Sequence, residues 1–180
     1  MYRLTTRTED LKALTAFAAK PDAQRLALEG LHITSEYIEA TDGRGLLRIN
    51  REMVKTDAPA GVYRIEAIKK IGGGISEAII APLDVVYPPT DAVIPAAPLK
   101  YTPDLVISDD KKRPGYISET IIYLYKNGCG AFALFQIERL APLCGHWTVQ
   151  KPKTEGGTVR LDYDAGVVKY TAVILPYKEI

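Results

Sequence analysis

The sequence predicts an α+β fold, two β-α-β-β-β modules whose strands form one continuous antiparallel sheet with the helices on one face. Three observations carry this expectation. Apolar residues recur at helical spacing near each end of the chain, in residues 9–18 and 136–143. Each helical stretch is followed by three short alternating segments bounded by turn residues. Between them, residues 82–103 hold six of the twelve prolines, which excludes a helix there and argues for an extended connector. The chain is therefore read as one domain over 1–180, with module one at about 1–60, a Pro-rich connector at about 61–117 and module two at about 118–180.

Residues 2–7 (YRLTTR) read as a strand. Thr8 is placed to cap a helix, with Glu9 and Asp10 at the positive end of its dipole and Leu11, Leu14, Phe17 and Ala18 on its apolar face. Pro21 lies beyond its end. Leu26, Leu28, Leu31 and Ile33 mark a strand, Tyr37, Ile38 and Ala40 a second, and Leu46, Leu47 and Ile49 a third after the Asp42-Gly43 turn. Residues 61–68 alternate like a strand, with Ile79-Ile80-Ala81 as the expected partner. Further on, Ile121–Tyr125 is read as a strand and Asn127-Gly128 as a hairpin turn. Ile137, Leu140 and Leu143 form one face of a short helix strained by Pro142, with Gly145 as its C-cap. Residues 146–151, 158–163 and 167–175 are the closing strands, with Gly156-Gly157 and Asp164-Ala165-Gly166 as turns.

Composition narrows the function. Lys and Arg number 23 against 22 Asp and Glu, a net charge of +1, so any attraction to nucleic acid must come from arrangement. The N-terminus lacks the apolar run of a signal peptide, and no stretch approaches the ~18 apolar residues of a membrane span. Cys129 and Cys144 make no disulfide framework, so a reduced, cytoplasmic protein is expected. With His32 and His146 they offer no zinc spacing, and neither a metal nor another cofactor is expected. The Cys144–His146 pair, two residues apart, is a poor nucleophile and base. Lys69-Lys70-Ile71-Gly72-Gly73-Gly74 matches no phosphate-binding loop and reads as a hairpin tip. Trp147 reads as core. Lys111-Lys112-Arg113, preceded by Asp109-Asp110, reads as a solvated loop.

Four segments together resemble one known family. EYIEATDGRGLLRIN (36–50) is similar to the strand-turn-strand around the ATDG turn of the bacterial DNA polymerase III beta subunit, the sliding clamp or processivity factor. VVYPPTDAVIP (85–95) is similar to the clamp's proline-flanked segment, and KYTAVILPYKEI (169–180) to the clamp ending. CGAFALFQIERLAPLC (129–144) falls where the family has its last strand and helix. These matches run in family order. A clamp subunit carries several such domains and this chain has the length of one, so a ring would require several copies, a homo-oligomer.

The resemblance implies a DNA-replication accessory protein, at home in a phage or prophage, and not an enzyme. Clamp helices face duplex DNA and touch phosphates without sequence preference. The matching cations are Lys12, Lys20 and Arg25 near the first helix and Arg139 on the second; ordinary solvated helix faces are the competing reading. Clamps also hold replication-protein peptides in an apolar pocket beside the ATDG turn. The matching positions are Thr41, Gly43, Arg44 and Leu46, with Val173, Leu175, Pro176 and Tyr177 from the last strand. Against this, Leu46, Val173 and Leu175 read equally as core strand residues. Two other classes stay open: a protein-interaction module of the same fold without DNA binding, and an enzyme whose site assembles only in three dimensions.

Overall fold

A computed structural model describes residues 1–21, 25–95, 101–107, 116–150, 152 and 157–176. Among the described residues, eleven strands form one antiparallel sheet. They are β1 (Tyr2–Arg7), β2 (Leu31–Ile33), β3 (Tyr37–Thr41), β4 (Gly45–Asn50), β5 (Lys55–Thr56), β6 (Gly61–Gly72), β7 (Ile75–Leu83), β8 (Tyr101–Ile107), β9 (Gly145–Gln150), β10 (Val159–Ala165) and β11 (Val168–Ile174). The order across the sheet is β5-β1-β7-β6-β2-β3-β4-β11-β10-β9-β8. Three helices, α1 (Thr8–Phe17), α2 (Tyr116–Lys126) and α3 (Leu134–Glu138), complete the described fold.

Alternation along the strands fixes which side chains share a face. On β4 and β11, Leu47, Ile49, Ala172 and Ile174 join the apolar core with Leu11, Leu14 and Phe17 of α1 and Trp147 of β9. The cross-strand partners Leu46 and Val173 are also buried, yet they point to the opposite face. Gly45 marks a close approach on the helical side. A Cβ there would lie 2.9 Å from Arg139 Nη1 and 3.2 Å from Phe17 Cε1, so α1 and the end of α3 meet over the same strand. Asp10, fully buried on α1, accepts hydrogen bonds from Thr6 Oγ1 (2.9 Å), from Arg7 (2.7 Å at Nη2) and from Tyr170 Oη of β11 (2.7 Å).

Several expectations are corrected. Ile121–Tyr125 is helical, the second half of α2. Its β-branched and aromatic run imitates a strand, but Ile117, Thr120 and Leu124 recur at helical spacing and turn inward. The Asn127-Gly128 pair ends that helix instead of turning a hairpin: Gly128 has φ 74°, and the amides of Gly128 and Cys129 return to the carbonyls of Tyr125 and Leu124. Leu26 and Leu28 form a 3-10 turn outside the sheet. Thr8 is the first helical residue, with its hydroxyl 2.8 Å from that of Ser76, and Arg7 occupies the cap position. Gly145 opens β9 instead of capping a helix.

The expected connector, 61–117, is largely sheet. β6 and β7 form a long hairpin whose tip carries three consecutive positive-φ glycines, Gly72 to Gly74. That hairpin enters the sheet between β1 and β2, and β8 forms the strand before α2. Periodicity exposed the two ends of the hairpin but not its length, because Arg64–Gly72 is mostly solvated and carries no buried stripe. The Asp109–Pro114 loop, the Gly156 half of its turn and Tyr177 lie outside the described residues.

Candidate functional site

The site begins with the turn between β3 and β4. Asp42 Oδ1 accepts from the amides of Arg44 (2.8 Å) and Gly45 (2.9 Å), and Gly43, at φ 83°, takes a conformation few other residues adopt. Thr41 Oγ1 accepts from the Gly43 amide at 3.1 Å and donates to the Gly45 carbonyl at 2.6 Å. The carbonyl of Arg44 accepts from the Leu175 amide at 3.1 Å, fastening the chain end to the turn. Leu175's own carbonyl accepts from Gln136 Nε2 at 2.6 Å.

Behind this turn, on the sheet face opposite the helices, lies a cavity of about 310 Å³. The buried pair Leu46 and Val173 belongs to it, with Leu28, Val93 and Leu175 as further apolar walls. Leu175 is 41% exposed, so it stands at the mouth and not in the core. Pro88, Pro89 and Thr90 close one side. The lining therefore comes from five stretches far apart in sequence, near residues 28, 41–46, 88–93, 158 and 173–175.

A polar row holds the 88–93 wall in place. His32, Glu39 and Arg48 are cross-strand neighbours on β2, β3 and β4. Glu39 is fully buried and its carboxylate meets His32 Nδ1 (2.8 Å), Arg48 (2.9 Å) and Thr90 Oγ1 (2.7 Å). Arg48 also reaches Asp91 at 2.8 Å and stacks its guanidinium over the Tyr37 ring at 3.6 Å. Tyr87 stacks on His32 at 4.5 Å, and burial pushes its phenol above the usual range. A buried carboxylate is tolerated only with such a set of donors. Polar Thr90 and Asp91 thus settle on the polar row while Pro88, Pro89 and Val93 roof the apolar pair.

Of the eight positions expected to form the pocket, the structure brings six to this cavity: Thr41, Gly43, Arg44, Leu46, Val173 and Leu175. Pro176 is not among its walls. It is buried against Gly130, where a Cβ would come within 2.7 Å of the proline Cβ. Leu28, the 88–93 wall and Thr158 were not assigned by sequence, nor was the Glu39 row that anchors the wall. Proline and polar residues in alternating strands were the available signals.

The four expected DNA contacts separate. Lys12, Lys20 and Arg25 are exposed. Arg139 is buried, and its Nη2 donates to Asp42 Oδ2 at 3.1 Å while the guanidinium lies over Phe17 and Phe135. The expectation of a solvated Arg139 is therefore corrected, because helical spacing does not reveal that the Asp42 turn comes to meet it. Among the described residues no group of three His, Cys, Asp or Glu could hold a metal ion, and no helix is long and apolar enough to cross a membrane.

No protein-family model and no curated protein sequence matches the chain. Solved structures do. The β sliding clamp of C. crescentus aligns with a TM-score of 0.57 and 12% identity over 98% of this chain and 65% of that one. The sliding clamp (DNA polymerase III subunit beta) of Pseudomonas aeruginosa bound to griselimycin gives 0.56 and 12%, over 98% and 65%. That of Bartonella birtlesii bound to griselimycin gives 0.54 and 13%, over 98% and 66%. The chain thus spans about 65% of the length of the clamps it matches, and its fold, a large antiparallel sheet with few helices, is that of the bacterial sliding clamps.

Proposed function

We propose that this protein is a clamp-like replication accessory protein that captures an extended peptide of a partner in the apolar cavity behind the Asp42–Arg44 turn. One observation carries the reading. Three of the four segments that resemble the clamp, near 41–46, 88–93 and 173–175, converge on that single cavity although they are far apart in sequence. A concave apolar site with a few fixed polar groups suits short peptides whose main chain is extended. The bound ligands named for the similar clamps, griselimycin among them, accord with a fold that offers a ligand site.

The wider arrangement is read as two β-α-β-β-β modules, β1-α1-β2-β3-β4 and β8-α2/α3-β9-β10-β11, joined along β4 and β11. In support, the sheet order runs outward from that seam through β3 and β2 on one side and β10, β9 and β8 on the other. The β6–β7 hairpin is the insertion that departs from the pattern.

DNA binding is the weaker half of the reading. The solvated side of α1 offers Glu9 and Lys12, and that of α2 offers Glu119 and Lys126, so neither helix presents a basic stripe. This favours a module that binds a protein without gripping DNA, and it makes any duplex binding weak, sequence-independent and salt-sensitive. Fluorescence anisotropy separates the two. A labelled blocked peptide with adjacent leucines should bind, and its affinity should change little between low and moderate salt. A random duplex should bind weakly or not at all, with affinity falling as salt rises. No peptide binding, or tight salt-independent binding of one DNA sequence, contradicts the proposal.

A further inference from the structure

The chain between β7 and β8 has most of the sheet to cross, because β6, β2, β3, β4, β11, β10 and β9 lie between those two strands. It crosses on the face opposite the helices. Tyr87 stacks on His32 of β2, Thr90 donates to Glu39 of β3, and Asp91 meets Arg48 of β4. A further anchor lies beyond the β4–β11 seam, where Arg160 of β10 donates from Nη1 to the Pro95 carbonyl at 3.0 Å. Arg160 is the cross-strand partner of Val173, itself the partner of Leu46, so all three side chains stand on the cavity face. The guanidinium is aimed by Asp162, whose carboxylate accepts from Arg160 Nε at 2.8 Å, from Thr171 Oγ1 at 2.8 Å and from Gln150 Nε2.

From Asp91 on β4 to Pro95 on β10 the chain passes over β11, and Val93, midway, lines the cavity together with Val173. Two strand spacings take up about 10 Å and four residues reach at most about 14 Å, so little chain is spare between the anchors. Resting on the reading of the apolar cavity as a peptide site, we infer that Arg160 is a positioning residue of that site. It holds the far end of the 88–95 segment, so that Val93 stands as a fixed apolar wall over the seam. Arg160 does not itself line the cavity and acts through Pro95. The contact adds little to stability, because the Arg160 and Asp162 side chains are 23% and 22% exposed and such ion pairs contribute little. Its effect falls on binding instead: a wall in place in only a fraction of the molecules lowers the apparent affinity by that fraction.

The test uses the full chain, a labelled blocked peptide with adjacent leucines, and the variants Arg160→Gln and Arg160→Lys. Arg160→Gln should bind the peptide about fivefold more weakly than the wild type while its denaturant midpoint stays close to the wild-type value. Arg160→Lys, which keeps a charged donor for the Pro95 carbonyl, should recover most of the affinity. Amide exchange at Val93 and Ile94 should quicken in Arg160→Gln, with Leu46 and Val173 unchanged. Equal affinity of wild type and Arg160→Gln overturns the role of Arg160 while leaving the cavity as a peptide site. A loss of affinity that only follows a lowered midpoint, or an Arg160→Gln chain that does not fold, makes Arg160 a stability contact and also overturns the inference. Failure of the wild type to bind the peptide overturns the underlying reading instead.

Discussion

Two fully buried carboxylates, Asp10 and Glu39, sit on opposite faces of the sheet, and their partners differ. Asp10 draws two of its three partners, Thr6 and Arg7, from the turn of chain that starts α1, and only Tyr170 comes from afar. Glu39 is held by His32 and Arg48 across the strands and by Thr90 from a segment 51 residues on. The first fixes a helix start against β11. The second fixes a wall of the candidate site. Equal burial therefore says little about role, and the sequence separation of the donors says more.

That contrast can be broken by mutation, and the largest effect should fall on Glu39. Glu39→Ala leaves Arg48 and Thr90 without their shared acceptor, at a cost of about 3 kcal/mol in a denaturant melt. Amide exchange at residues 90–93 should quicken beyond the global loss, because the wall is released. A stability change below about 1 kcal/mol would show that the row does not hold the wall.

Asp10→Asn should cost less, within about 1 kcal/mol near neutral pH, because a lost charged partner is offset by relief from burying a charge. Burial raises the Asp10 carboxyl above its ordinary 3.8, against the opposing pull of Arg7 and Thr6. The folded chain then keeps this proton over a range where the unfolded chain has lost it. The Asp10 contribution is accordingly full below pH 3.8, falls as pH rises through the raised value, and is flat above it. Melts of wild type and Asp10→Asn across this window should differ in slope with that sign. Identical slopes would mean that burial does not govern the group.

Leu175→Ala should have the smallest effect on stability, under about 1 kcal/mol, because the side chain is half in solvent. Peptide affinity should nevertheless drop severalfold. A loss of ~2–5 kcal/mol would instead return Leu175 to the core.

Much of this was legible in advance where periodicity and turn chemistry agreed. β1, α1, β3, β4 and the closing strands follow from alternation and from Asp42-Gly43 and Asp164-Ala165-Gly166. Misreading began where local signals were ambiguous: Ile121–Tyr125 suits a strand by composition and a helix by spacing. Six cavity residues were named because they lie in segments that resemble clamps. The Glu39 row was not, since nothing in HIT, IEA or LRI tells which neighbour will cover a charged residue in a strand. Arg139 failed for the same reason. Its partner, Asp42, is 97 residues away.

Everything proposed for this protein rests on the cavity on the face opposite the helices taking a partner peptide. Titrating isotope-labelled protein with a blocked di-leucine peptide and following backbone amide shifts tests it most directly. Saturable shifts are expected at Thr41, Gly43, Gly45, Leu46, Thr90, Val173 and Leu175, with Lys12 and the rest of α1 unmoved. Shifts centred on the helical face, or none at concentrations well above those of the anisotropy measurement, would contradict it.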